Sequence, residues 1–345
     1  MRLRFLAAVA SPALFLALAL CPCPLSAQEA PSVSAPPPKS DAPAQPVADI
    51  DAPTINVNVN LVNVFFSARD KDGFVTDLTK SDCSVAEDKV PQTIKDFTQE
   101  KKLPLTIGIL LDTSGSQQNV LPMEQQSGAE FLRDVMTPKD EAFLISFDIN
   151  VDLLADYTNR PSEISRALNK ATINTGAGTG SITGNGDPRG TLLFDAVYLA
   201  AHDKLGPETG RKVLVLLTDG GDQGSQENLK GAIESAQKAN AIVYVIMIAD
   251  RMGQLYGGFN VGDSDMNKLA GDTGGRVINV GNNGKKLEEA FQQITDELRT
   301  QYLLSYRPSN PKADGTYRKI DLSCGKNLKL DARKGYYALA SADQQ

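Results

Sequence analysis

The chain has 345 residues, 41% apolar and 22% charged, with 35 Lys and Arg facing 42 Asp and Glu for a net charge of −7. That length and apolar content can bury a full core and hold more than one domain, which excludes a wholly disordered protein. The acidic balance gives no sign of a nucleic-acid partner.

Arg2 and Arg4, an apolar stretch from Phe5 to Leu20 and the small-residue site Leu25-Ser26-Ala27 before Gln28 have the layout of a secretory signal. Residues 1–27 are therefore expected to direct export, to the periplasm or the extracellular space. Pro12 interrupts the stretch and it is short for a span, so no transmembrane span is expected in the mature chain, a retained anchor being the alternative. Leu20 and Pro22 precede Cys21 and Cys23 where lipoprotein processing needs a small residue. Cleavage would take Arg2 and Arg4 from the 35 basic residues, leaving 33 against 42 acidic ones, a net −9. It would also leave only Cys83 and Cys324, an even pair in a compartment where disulfides persist. Each lies in a predicted strand, and a Cys83–Cys324 bridge is expected, two unpaired thiols being the alternative.

Residues 28–53 carry Pro31, Pro36, Pro37, Pro38, Pro43, Pro46 and Pro53 among Ala, Ser and Asp, a composition that cannot build a core and reads as a disordered tether. From Ile55 the text alternates as strands do, through Val57, Val59, Leu61, Val62, Val64 and Phe66, with a turn at Asp70-Lys71-Asp72-Gly73 and further strands at Cys83–Ala86 and Thr93–Phe97. After Pro104 strand and helix alternate. Strands are predicted at Leu105–Leu111, Ala142–Phe147, Leu153–Tyr157, Val213–Leu217, Ile242–Ile248 and Arg276–Val280. Helices are predicted at Val120–Met136, Pro161–Asn169, Leu192–Leu205, Gln226–Asn240, Ser264–Ala270 and Lys285–Arg299, the last with Leu287, Ala290, Phe291, Ile294 and Leu298 on one face. Such alternation means an α/β fold with a doubly wound, mostly parallel sheet over 103–300. Short strands return at Tyr302–Tyr306, Tyr317–Ser323, Leu328–Leu330 and Tyr336–Leu339. Neither β flank, 54–102 or 301–340, has strands enough to stand alone. The two are expected to pair into one small β-sandwich with the α/β domain inserted in it, followed by a tail at 341–345.

Two of the apolar runs end in acids. Leu105–Leu111 runs into Asp112-Thr113-Ser114-Gly115-Ser116, and Val213–Leu217 into Thr218-Asp219-Gly220. In an open α/β sheet, ligands bind beyond the carboxyl ends of the strands, so these oxygens should meet at one rim. Together with Thr191 they make two carboxylates and three hydroxyls, an all-oxygen set suited to a hard divalent cation: Mg²⁺ first, with Mn²⁺ or Ca²⁺ possible.

The pattern Asp-x-Ser-x-Ser, a distant Thr and a distant Asp resembles the metal-ion-dependent adhesion site (MIDAS) of von Willebrand factor type A domains, a Rossmann-like fold. The resemblance implies that Ser114, Ser116 and Thr191 bind the ion directly or nearly so, and Asp112 and Asp219 directly or through water. It implies one open coordination position that takes a Glu or Asp from a partner protein, hence adhesion rather than turnover. It also implies that the last helix could shift along the sheet and alter the metal loops. The succession Val75-Thr76-Asp77-Leu78-Thr79-Lys80-Ser81-Asp82, Val85-Ala86-Glu87-Asp88, Glu297-Leu298-Arg299-Thr300-Gln301-Tyr302-Leu303-Leu304-Ser305-Tyr306 and Arg333-Lys334-Gly335-Tyr336-Tyr337 further resembles the VWFA-related family of acidobacterial type, exported proteins, over about residues 55–338. Cys83 in place of a large apolar residue and the Gly- and Asn-rich stretch Asn174–Gly190 depart from that pattern.

Rival chemistries are weaker. Asp112-Thr113-Ser114-Gly115 and Asp272-Thr273-Gly274 echo the paired motif of aspartic peptidases, but that class is almost wholly β. His202, the sole histidine, reads as a surface residue of a helix, and no Gly-x-Ser-x-Gly exists to accompany it. The run Gly176-Ala177-Gly178-Thr179-Gly180 does not follow a strand as a dinucleotide loop must, and Asp222 and Asp263 read as solvated loop acids. A scaffold whose metal set has no binding role is the other surviving reading.

Overall fold

The computed structural model describes residues 61–100, 103–174, 190–248 and 261–339. The expected signal at 1–27, the tether at 28–53, the Gly-rich run Gly176–Gly180 and the tail at 341–345 lie outside these residues.

The chain enters through β1 (Val62–Arg69), β2 (Cys83–Glu87), β3 (Val90–Gln92) and β4 (Ile94–Gln99). The α/β portion follows: β5 (Leu105–Asp112), α1 (Leu121–Val135), β6 (Glu141–Phe147), β7 (Val151–Thr158), α2 (Pro161–Leu168), α3 (Leu193–Leu199), β8 (Arg211–Thr218), α4 (Leu229–Lys238), β9 (Ala241–Met247), α5 (Val261–Thr273), β10 (Val277–Asn279) and α6 (Gly284–Thr300). It leaves through β11 (Tyr302–Tyr306), β12 (Tyr317–Cys324), β13 (Lys329–Ala332) and β14 (Gly335–Tyr337). The helix expected to continue from Leu192 to Leu205 changes to π geometry over Ala200–Leu205, where Lys212 Nζ donates to the carbonyls of Leu205 (3.0 Å) and Glu208 (2.7 Å).

The central sheet has the order β10-β9-β8-β5-β6-β7, parallel except for β7 at one edge. Strands β5 and β8 are buried along their whole length, which is why they read as unbroken apolar runs. The period of two then sorts their side chains. Ile107, Ile109 and Leu111 face α1, α2 and α6, while Leu110, Leu214 and Leu216 face α3, α4 and α5. Gly108 shares the second face. A Cβ there would stand 2.4 Å from Cζ of Phe143 and 2.6 Å from Cδ2 of Leu214, so only glycine fits. On α6, Asn283 caps the start by accepting the Lys286 N–H at 3.0 Å. Burial of Leu287, Phe291, Ile294 and Leu298 stabilises that helix by roughly 1.5–3 kcal/mol per side chain, less the entropy lost.

The flanks form two antiparallel sheets, β13-β1-β11-β4 and β14-β12-β2-β3, each drawing strands from both sides of the inserted domain. Val64, Phe66, Tyr302, Leu304, Tyr306 and Ile320 fill the space between them. Cys83 and Cys324 stand directly opposite on β2 and β12, Cα atoms 4.0 Å apart, and are joined by a disulfide. The inserted domain is tied to the sandwich where the chain crosses: the Glu100 N–H donates to the Gln301 carbonyl (2.8 Å), and Tyr302 pairs with Gln99. Phe65 of β1 packs into the helical layer made by α1, α2 and α6. All these contacts lie at the sandwich end of the sheet, near the starts of β5 and β8.

Candidate metal site

At the far end of the sheet Asp112 is the last residue of β5 and is fully buried. Its Oδ1 accepts the Ser114 N–H (3.0 Å), folding the loop back over the strand end, and its Oδ2 accepts the Thr218 hydroxyl (2.7 Å) from the end of β8. Thr218 also accepts the Gly220 N–H at 3.0 Å, shaping the turn that carries Asp219. That turn needs glycine, because Gly220 has φ +88° and a Cβ would meet Met247 Cε at 2.7 Å. Ser114 Oγ and Ser116 Oγ lie 3.0 Å apart. Asp219 is half-buried, so the cluster opens to solvent on its side.

Thr191 reaches this rim through Asp148, a residue the sequence reading did not single out. Asp148 follows β6. Its Oδ2 accepts the Thr113 hydroxyl (2.8 Å), its Oδ1 accepts the Asn174 amide and the Asn150 N–H (both 3.0 Å), and its carbonyl accepts the Leu192 N–H (2.8 Å). Paired backbone bonds of 2.9 Å between Thr191 and Gln223 then tie the Thr191 turn to the loop after β8. The only sequence signal was position: Asp148 ends the apolar run Ala142–Phe147 at the same rim.

Burial, reinforced by the negative charge of Asp219, pushes the Asp112 carboxyl up to about 7, against the opposing hydrogen bonds from Ser114 and Thr218. A second effect of the same kind falls on Glu124 in the first turn of α1. It is fully buried, and burial followed by the charges of Asp112 and Asp219 pushes it well above the usual carboxylate range. Among the described residues no three acidic, histidine or cysteine side chains close on one point as a cage. The donor set here is two carboxylates with hydroxyls, and its buried acid has a second acid and no base as its charged neighbour. Such a set fits a hard divalent cation.

Other residues fall elsewhere. Asp272 lies in the last turn of α5 and pairs with Lys268 (2.6 Å); the next residue, Thr273, accepts the Val243 N–H (3.2 Å) near the start of β9, at the opposite end of the sheet from Asp112, so the structure does not join the two as a catalytic pair. His202 is exposed, bonded to Asp203 (2.7 Å) and stacked on Tyr198. Asp263 is exposed as expected, but in the first turn of α5 and not in a loop. The expectation for Asp222 is corrected: it is no free loop acid, since its Oδ1 accepts the Phe194 N–H (3.1 Å) at the start of α3 and the Ser225 hydroxyl (2.6 Å).

The fold and rim define a doubly wound α/β domain with an oxygen-rich site at the strand ends. Residues 107–293, more than half of the chain, match the von Willebrand factor type A domain, and the chain belongs to that family. No curated protein matches it. Among solved structures it is similar to BatB from Bacteroides thetaiotaomicron (16% identity, 56% of this chain and 98% of that one, TM-score 0.43). It is similar also to the vWF domain of the type V pili tip protein Mfa5 from Porphyromonas gingivalis (13%, 57% and 95%, 0.43). A third is proximal thread matrix protein 1 from the mussel byssus, with a zinc-occupied MIDAS motif (17%, 59% and 47%, 0.45).

Proposed function

We propose that this chain is an exported adhesion-type module that binds a divalent cation, Mg²⁺ by preference, through Asp112, Ser114, Ser116, Thr191 and Asp219, and through it an acidic residue of a partner protein. The observation that carries the reading is Asp112: a fully buried carboxyl, held at both oxygens, whose charged neighbour is another acid. Unpaired buried charge of this kind is costly, and a cation relieves it. When bound, the ion supplies a concentrated positive charge and a coordination position for a partner's carboxylate oxygen. Asp112 and Asp219 carry two negative charges, enough to balance a divalent ion, while Ser114, Ser116 and Thr191 add oxygens without adding charge. The Thr218 and Ser114 bonds fix Asp112 in place before any ion arrives. We further propose that the chain is no enzyme, since His202, bonded to Asp203 on an exposed helix, has no place at the rim. Export is supported by the signal-like N-terminus and the disulfide, and no helix of the described residues is long and apolar enough to cross a membrane.

Calorimetry with Mg²⁺ and Mn²⁺ tests the site. Wild-type protein should bind one ion and Asp112→Ala none, with the fold retained by circular dichroism. Equal affinity in both would discard the assignment. Retention of partner proteins on immobilised chain, with and without chelator, separates an adhesion module from a scaffold whose rim has no binding role.

A further inference from the structure

Helix α1 buries Leu121, Gly128, Phe131, Leu132 and Val135 against the sheet and its neighbours. Glu124 stands on that same buried face, three residues after Leu121 and four before Gly128, where patterning calls for an apolar residue. It is fully buried, and among the described residues neither carboxyl oxygen has a hydrogen-bond partner. Gln117, which directly follows Ser116, is also buried, with both amide atoms without a partner among the described residues. Two orphaned polar side chains thus occupy the short stretch between the Ser114–Ser116 hydroxyls and the first turn of α1. Buried polar groups are rarely left so, and an orphan of this kind marks a place for water or an ion. A polar residue that breaks the pattern of an otherwise consistent helix also marks function more often than structure.

Resting on the metal-site reading above, we propose that Glu124 is a sixth residue of the cation site, a carboxylate that acts on the ion through bridging water from the α1 side, with Gln117 holding the same water. Direct ligation is not its role, because Glu124, Asp112 and Asp219 do not close on a common point. Acids and amides that orient a metal's ligands and waters govern affinity almost as strongly as the ligands, and their loss weakens binding about 10–100-fold.

The test is the Mg²⁺ affinity of the full mature chain by calorimetry, with its melting temperature in chelator and in Mg²⁺ as a second readout. Glu124→Gln keeps the shape and removes the charge. It should weaken Mg²⁺ binding at least about 10-fold. In chelator it should melt no lower than wild type, so the Mg²⁺-induced gain shrinks. Glu124→Met, similar in volume and apolar, should weaken binding likewise and covers the case in which the glutamine variant folds poorly. Wild-type affinity in either folded variant would overturn the proposal and leave the five-residue site standing. Absence of Mg²⁺ binding by the wild-type chain would overturn both.

Discussion

Glu297 of α6 is fully buried and joins three elements: its Oε1 accepts the Ser67 hydroxyl of β1 (2.7 Å) and its Oε2 accepts Nε of Arg276 just before β10 (2.8 Å). One carboxylate therefore fastens the inserted domain to the sandwich. Glu297→Gln preserves volume but turns an N–H donor toward one of two existing donors and strips Arg276 of its counter-charge. Breaking a fully buried pair costs about 3–5 kcal/mol. Arg276 keeps some solvent access, with its side chain 13% exposed, and has a second bond to Gln293 (3.2 Å), so we expect a loss below that range, about 2–3 kcal/mol. Urea denaturation followed by far-UV circular dichroism measures it. Replacing both partners, Glu297→Met with Arg276→Met, should recover part of the loss, because it leaves no unpaired buried charge, although the buried Ser67 hydroxyl loses its acceptor. A single variant within about 0.5 kcal/mol of wild type would show that the carboxylate is not a fastener and refute the reasoning.

Two further outcomes are expected. The Cys83–Cys324 bridge closes a loop of 241 residues, for which chain entropy alone gives about 5 kcal/mol of stabilisation; the measured loss on Cys83→Ala with Cys324→Ala should be a few kcal/mol, and two free thiols per unreduced, denatured mature chain would disprove the bridge. Asp112 is raised from 3.8 to about 7, so the unfolded chain gives up that proton first and the metal-free fold loses stability as pH rises from about 4 to 7, by up to about 4 kcal/mol from this group. Melting curves across that range should show the loss in chelator, little of it in Mg²⁺ and a smaller loss in Asp112→Asn, where the buried Glu124 still contributes its share. Parallel curves for wild type and Asp112→Asn in chelator would contradict the buried-acid argument.

The strands and helices of the inserted domain were legible because burial on two faces leaves an unbroken apolar run and burial on one face leaves a 3.6-residue period; β5, β8 and α6 each match their signal to within a residue or two. The hairpin of β2 and β3 was not. Its two-residue turn, Asp88-Lys89, takes positive φ values of 48° and 70° without the Asn-Gly or Asp-Gly that usually announce such a turn, and Pro91 within β3 argues locally against a strand. Position in the chain foretold which acids end strands, and so Asp112 and Asp219. It could not foretell that Asp148 gathers three loops or that Asp222 serves the start of α3, since each of these depends on a partner far away in sequence; Glu124 differs, because its spacing from Leu121 and Gly128 already puts it on the buried face of α1.

The attachment of α6 bears on how the rim could be controlled. Asp112 ends an eight-residue strand whose first residue lies beside the sandwich, so about 23 Å separates the rim from the mount. A helix that slid along the sheet would connect the two ends, yet α6 runs after one residue into β11, which is hydrogen-bonded on both sides, to β1 and to β4. Sliding by one strand residue would turn Tyr302, Leu304 and Tyr306 out of the sandwich core, and it would also part Glu297 from Ser67 and Arg276 and the Leu298 carbonyl from Arg211 (2.7 Å). Those are buried or partly buried contacts, so an independent slide is costly. The contacts therefore tie α6 on both sides, to the sandwich through Ser67 and to the central sheet through Arg276 and Arg211, and hold it at one position along the sheet.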